Sequence, residues 1–209
     1  MTAALFCAEE AAAQSEGTLL VRLGATRVMP QVNSDDLTPA PISNIKIDIK
    51  AASQLSGGFT YMLTDNWALD IPWSLPFKHD IVGDGAIAGA GKIGSFKLLP
   101  PALLAAYRFF EPASVVRPWI GAGPRYVRLY GADTTDALTG LVGPVSLKLD
   151  SKFAPMVQVG LSGAISPKYR IEASIEKTFV STTGTLSNGQ SIRVRVDPLA
   201  VSLGIAAAF

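Results

Sequence analysis

Seven ionisable side chains are spaced so that they share one face of an extended chain. Between Trp67 and Lys78, Asp70 falls on the same side as Ala68, Pro72 and Ser74. From Tyr169 to Thr182, Arg170, Glu172 and Glu176 fall on one side with Ser174. Arg22, Arg108 and Arg125 hold equivalent places in segments of the same kind. If that face is interior, opposite charges in a low-dielectric space pair rather than stand alone. Pairing Ala68 with Arg108 across a hairpin would bring Asp70 beside Arg108. Such a network fills and stiffens its surroundings, and it closes them to a straight flow of water and ions; this reading is preferred to a bound ion. A second constellation is His79 beside Asp80, with Ser74 five residues earlier. A hydrolytic triad would need these groups to converge. Ser74 points inward below the rim, whereas a lone histidine in a loop reads as a solvated residue, so no enzyme is expected. One cysteine and one histidine do not make a zinc site, and no metal or cofactor is expected.

The elements that carry these residues are strands. In Ile45–Leu63 the odd positions are Ile45, Ile47, Ile49, Leu55, Phe59, Tyr61 and Leu63, and the even ones include Lys46, Asp48, Lys50, Gln54 and Thr60. A period of two places these sets on opposite faces of a strand. From Thr18 eight alternating segments follow, at about 18–28, 45–64, 67–78, 95–110, 117–130, 152–166, 169–182 and 191–209. Charged residues make up only 17% of the chain, below the usual fraction of about 25%. There is no apolar run long enough for a membrane helix, and a net charge of +1 gives no basis for nucleic-acid binding. The connections alternate: short at 64–66, 111–116 and 166–168, longer at 29–44, 79–94, 131–151 and 183–190, with a short helical turn in prospect at Asp136–Leu141. Short turns at one end and long loops at the other characterise an up-and-down barrel in an outer membrane. Trp67 and Phe77, ten residues apart on one face, match an apolar band about 25 Å tall between aromatic girdles. Tyr61, Trp67, Tyr107, Phe109, Tyr169 and Phe209 would form the girdle at the short turns, and Phe77, Tyr126, Phe153 and Phe179 the other. The expected fold is all-β: an eight-stranded antiparallel transmembrane β-barrel over residues 18–209. Residues 1–17 read as a signal-peptide remnant, with Ala11-Ala12-Ala13 before Gln14, or as a flexible tail.

Several short stretches resemble the outer-membrane protein W (OmpW) family, which includes the alkane-uptake protein AlkL. They are Phe59-Thr60-Tyr61-Met62-Leu63-Thr64-Asp65-Asn66, Pro76-Phe77-Lys78-His79, Leu98-Leu99-Pro100-Pro101-Ala102-Leu103-Leu104, Arg117-Pro118-Trp119-Ile120-Gly121-Ala122-Gly123 and Val196-Asp197-Pro198. They occur in family order from Thr18 onward. A final Phe209 resembles the signal read by the outer-membrane barrel assembly machinery. Glu176 departs from the resemblance, because a bulkier apolar interior residue is expected there. The resemblance implies a Gram-negative outer membrane, a narrow and partly hydrophobic interior, and passive uptake of small hydrophobic molecules with lateral release through the wall. Outer-membrane lipids and lipopolysaccharide would surround the barrel. A closed ring needs no second copy, so a monomer is the default.

The residues suggest where such a path would run. An eight-stranded barrel is just wide enough to be filled by side chains. Met62, Pro76, Leu98, Pro100, Leu104 and Met156 would offer an apolar lining above the charged floor. Pro72, Pro76, Pro100 and Pro101 cluster between the third and fourth strands. Proline donates no ladder hydrogen bond, and a closed barrel has no edge to hide it. A weakened seam is therefore expected there, as a lateral opening or as simple bulges. Two other readings remain: a structural or adhesive barrel acting through its loops, and a small ion-conducting pore.

Overall fold

The computed structural model describes residues 14–39 and 43–209. Its strands, in chain order, are β1 (Leu19–Met29), β2 (Asn33–Ser34), β3 (Ile45–Ile49), β4 (Ala52–Met62), β5 (Trp67–Ser74), β6 (Phe77–Gly85), β7 (Lys92–Leu99), β8 (Leu104–Arg108), β9 (Val116–Thr134), β10 (Leu147–Leu149), β11 (Lys152–Ala164), β12 (Tyr169–Thr178), β13 (Ser181–Leu186), β14 (Ser191–Arg195) and β15 (Leu199–Ala208). In the lower part β1, β4, β5, β8, β9, β11, β12 and β15 pair in that order, and β15 returns to β1. Every pairing is antiparallel, so the ring is a closed eight-stranded barrel.

The alternation decides which way the barrel faces. Leu23, Phe59, Ile71, Ile120, Val159, Ile171 and Leu203 are exposed, while their neighbours Arg22, Thr60, Asp70, Arg170 and Glu172 are buried. That order would be inverted in water and is correct in hydrocarbon. The lower rim carries Tyr61, Trp67, Tyr169 and Phe209. Tyr107 meets Trp67 edge-on at 5.2 Å and Phe109 at 5.1 Å between ring centroids. Tyr126 against Phe153, 4.8 Å apart, and the exposed Phe179 mark the upper rim.

Above that rim the ring divides. β3, β6, β7 and the upper half of β9 form one sheet, and β10, β13, β14 and β2 another. One apolar cluster, with Ile45, Ile81, Ile93 and Phe96 from the first and Leu186, Ile192 and Val194 from the second, joins them. The inside must therefore become apolar where the outside becomes aqueous. From β12 through Val180 to β13 the residue types change while the parity is kept: Glu172 and Glu176 give way to Val180 and Leu186, all inward. On the second and third staves the parity itself reverses. Thr60 and Met62 are buried in β4, but Ile45 and Ile49 in β3, with Lys50 and Ala51 between the strands. Ala68 and Asp70 are buried in β5, but Phe77, His79 and Ile81 in β6, after Leu75 and Pro76. A slip of one residue exchanges the faces of a strand. Ile45–Leu63 is thus two strands of opposite phase, and Phe77 belongs to the interior rather than to the outer girdle. His79 is likewise a strand residue, 1% exposed, and not a solvated loop residue. The stretch 79–94 is mostly a β6–β7 hairpin, and the expected helical turn is a helix, α1 (Asp136–Val142).

Candidate functional site

Buried polar side chains close the lower barrel in three tiers. Lowest lies Arg117, whose guanidinium donates to the backbone carbonyls of Phe109, Phe110 and Gln14, each at 3.0 Å. Beside it, Arg170 Nε donates to Ser162 Oγ at 2.9 Å, and Gln14 Nε2 to the same oxygen at 2.8 Å. In the middle, Glu172 takes Arg108 Nη1 on Oε1 at 2.9 Å and Arg22 Nη1 on Oε2 at 3.0 Å. Arg22 Nη2 also stands 3.7 Å from Asp70, which accepts the Thr60 hydroxyl at 2.6 Å. Gly58 leaves room for this guanidinium, because a Cβ there would lie 2.6 Å from Arg22 Nη2. Uppermost, Arg125 holds Glu176 with two bonds, at 2.7 and 3.1 Å, and donates to Thr178 at 2.9 Å. Five buried guanidiniums thus face three carboxylates.

The expected Asp70–Arg108 pair does not form. Ala68 faces Ala106 and Asp70 faces Leu104, two residues from the register expected. The register follows the β6–β7 turn: Ala68 facing Ala106 keeps the offset at which Val82 faces Lys92, above the bulge near Ile81. Arg22 and Glu172 supply the missing partners from across the barrel.

Two cavities are stacked inside the barrel above the floor. The upper, of about 110 Å³, lies between the two outer sheets and is lined by apolar residues such as Ile47, Ile81, Phe96, Leu129 and Leu186, with His79 and Thr182 among them. The lower, of about 60 Å³, is mixed: Thr26, Ser56, Ser74, Gln158, Arg125 and Glu176 line it with Phe77 and Pro100. Val28, Leu98, Val127 and Pro198 line both and form the neck between them. Of the lining expected from sequence, Leu98 is at the neck and Pro100 is in the lower cavity. Leu104 and Met156 pack with Ala102 into a sealed cluster. Met62 lies with Ala68 and Ala106 at the short-turn end. Pro76 borders neither cavity, and its carbonyl accepts Gln54 Nε2 at 3.3 Å.

The wall beside the lower cavity is incomplete. Pairing of β5 with β8 ends at Asp70 and Leu104, and that of β6 with β7 begins at Phe77 and Leu98. Between these points residues 71–76 and 99–103 share no backbone hydrogen bond among the described residues. Both edges stay attached on their far sides: Leu75 N donates to Leu55 O, Leu103 N to Pro124 O and Tyr126 N to Pro101 O. Pro72, Pro76, Pro100 and Pro101 border the gap, and proline carries no backbone donor to close it. Pro72, Trp73 and Pro100 also line the lower cavity.

Sequence reasoning missed Arg117, Trp119 and Gln14. Arg117 and Trp119 were within reach, because they share the parity of Arg125 along β9. Trp119 is buried beneath the Arg108 guanidinium, 5.5 Å from its ring centroid. Gly160 faces it, and a Cβ there would lie 2.5 Å from the indole. Gln14 had no such signal, since it precedes the alternating pattern. It and the next three residues pack on the floor, while residues 1–13 of the expected tail lie outside the described part.

The model of the OmpW family matches residues 15–209. Outer membrane protein W of Vibrio cholerae serotype O1 is 30% identical over 190 residues, covering 89% of this chain and 86% of that one. Outer membrane protein AlkL of Ectopseudomonas oleovorans is 25% identical over 171 residues, covering 80% and 71%. The crystal structure of OprG from Pseudomonas aeruginosa superposes with a TM-score of 0.86 at 23% identity, covering 94% of this chain and 97% of that one.

Proposed function

Because the chain belongs to the OmpW family, we propose that this outer-membrane barrel admits small hydrophobic molecules passively and releases them sideways into the membrane. The observation that carries the reading is the stacking of an apolar chamber, a neck and a wall gap above a closed floor. A solute enters from the long loops, sheds water in the upper cavity and passes Leu98. Below it meets Arg125 paired with Glu176, where a further descent would require displacing buried ion pairs. The unpaired stretch between β5–β6 and β7–β8 offers hydrocarbon at the same height. The floor argues against an ion pore, and the chamber gives an adhesive barrel nothing to do.

Lipopolysaccharide fits the outer surface. Lys78 stands directly across from Lys97 on the exposed side, and Arg128 lies on the neighbouring strand. Like charges in direct opposition are destabilising unless an anion lies between them, and the phosphates of that leaflet supply it. Phe209 is exposed at the lower rim, open to the assembly machinery, and the closed ring suits a monomer.

The test is uptake of labelled hydrophobic compounds by outer-membrane vesicles. Leu98→Arg should abolish it by placing a charge in the neck. In a Cys7→Ser background, Pro72→Cys with Ala102→Cys would stitch the gap at positions that face each other if the Asp70–Leu104 register continues. Oxidation should stop uptake and reduction restore it. Uptake that persists in the oxidised protein would end the lateral route. Uptake in the Leu98→Arg protein equal to that of the unmodified chain would end the hydrophobic path as well.

A further inference from the structure

His79 is a polar group on an apolar wall. It lies on β6 above the aromatic rim, 1% exposed, and lines the upper cavity. Its ring stacks on Phe96 at 5.4 Å and on Phe77 at 6.2 Å, so its faces are covered and only its edge is free to bond. Nδ1 stands 2.8 Å from the backbone carbonyl of Lys50. A carbonyl oxygen only accepts, so Nδ1 carries the proton in that bond. In the neutral ring Nε2 is then a bare acceptor. It is buried and has no hydrogen-bond partner among the described residues. Burial also lowers the pKa of His79, which favours the neutral ring. An acceptor buried in this way is a costly feature unless something donates to it.

We propose that the upper cavity selects solutes that carry one hydroxyl on an apolar body, such as long-chain alcohols or phenols, through donation of that hydroxyl to His79 Nε2. The inference rests on the uptake path proposed above and specifies what the path prefers. Alkanes fill the same cavity but leave the acceptor unpaired. Ethers and esters, which bring only acceptors, face the nitrogen lone pair. Arg125 and Glu176 lie below the neck, and the Thr182 hydroxyl in the upper lining already donates to the Asp150 carbonyl at 2.7 Å, so Nε2 is the side-chain polar atom of that lining left without a partner among the described residues. The hydroxyl is held by one bond, so it is ranked and not trapped. One neutral hydrogen bond corresponds to about a fivefold preference, which allows onward passage.

This histidine is the only one in the chain, so labelling with [¹⁵N]histidine gives one imidazole to observe. In lipid nanodiscs, 1-decanol should move the Nε2 resonance toward that of a hydrogen-bonded nitrogen, and decyl methyl ether and decane should not. In outer-membrane vesicles, uptake corrected for protein-free vesicles should favour decanol over the ether about fivefold. His79→Phe should remove that preference, read as the ratio of decanol to ether uptake. A resonance that responds equally to all three compounds, or a preference that survives His79→Phe, overturns the inference and leaves the path intact. Uptake of all three no faster than in the Leu98→Arg protein would overturn the path, and the selectivity with it. The resonance is read on the unmodified protein, so misfolding of the variant does not affect that result.

Discussion

Glu172→Gln is the sharpest probe of the closed floor. The carboxylate is 2% exposed, and each oxygen is taken by a different guanidinium, at 2.9 and 3.0 Å. At that separation and an effective dielectric near 20, each pair is worth about 5 kcal/mol of Coulomb energy before desolvation is subtracted. Removing the charge leaves Arg22 with Asp70 at 3.7 Å. Arg108 is left with the Trp119 ring and no carboxylate among the described residues. A buried charge stranded in this way costs about 3–5 kcal/mol. Urea unfolding of the barrel in phospholipid vesicles, followed by tryptophan fluorescence, should show that loss. Adding Arg108→Met should recover more than half of it, because no charge is then stranded. Uptake of hydrophobic solutes should stay unchanged, since the proposed path leaves the barrel above this tier. A loss below about 1 kcal/mol, or a double variant no more stable than the single one, would refute the reasoning.

Leu104→Arg should fail differently from Leu98→Arg. Leu104 is fully buried against Ala102 and Met156, so the inserted charge should prevent folding, seen as loss of the heat-modifiable band on gels, whereas Leu98→Arg folds and blocks. Acidification should loosen the upper cap. Burial, the main influence, holds the His79 pKa below its ordinary value, against the opposing Lys50 carbonyl and Asp80. Below about pH 6.5 the unfolded chain therefore binds more protons than the folded one. Stability falls as pH falls through that window. Protection factors in β6, which correct for the slower intrinsic exchange at lower pH, should fall between pH 7.5 and 5, and His79→Phe should abolish the effect.

The barrel was legible because hydrocarbon imposes a strict rule on lower positions: apolar outward, anything else inward. Parity alone therefore placed Arg22, Asp70, Arg125 and Glu172 inside. Partners were not legible, since Glu172 meets Arg22 and Arg108 across the barrel, and no sequence spacing encodes that distance. The upper third misled at Ile45–Ile49, Phe77 and His79. There water replaces lipid, and parity reverses at Lys50-Ala51 and Leu75-Pro76 without interrupting the alternation of residue types. The prolines did announce the gap, because a missing donor is a property of the residue and not of its surroundings.

The apolar cluster of the cap draws on all four long connections: Leu37 from the first, Ile87 from the second, Leu138 from the third and Leu186 from the fourth. In an outer-membrane barrel these connections end on the far side of the bilayer from where the chain arrives. Each crosses while its own apolar residues have nothing to bury against. With the cluster closed, any one connection can slip back only by exposing apolar surface that the other three share. The four connections are thus fastened to one another as well as to the barrel, and none can be lost alone.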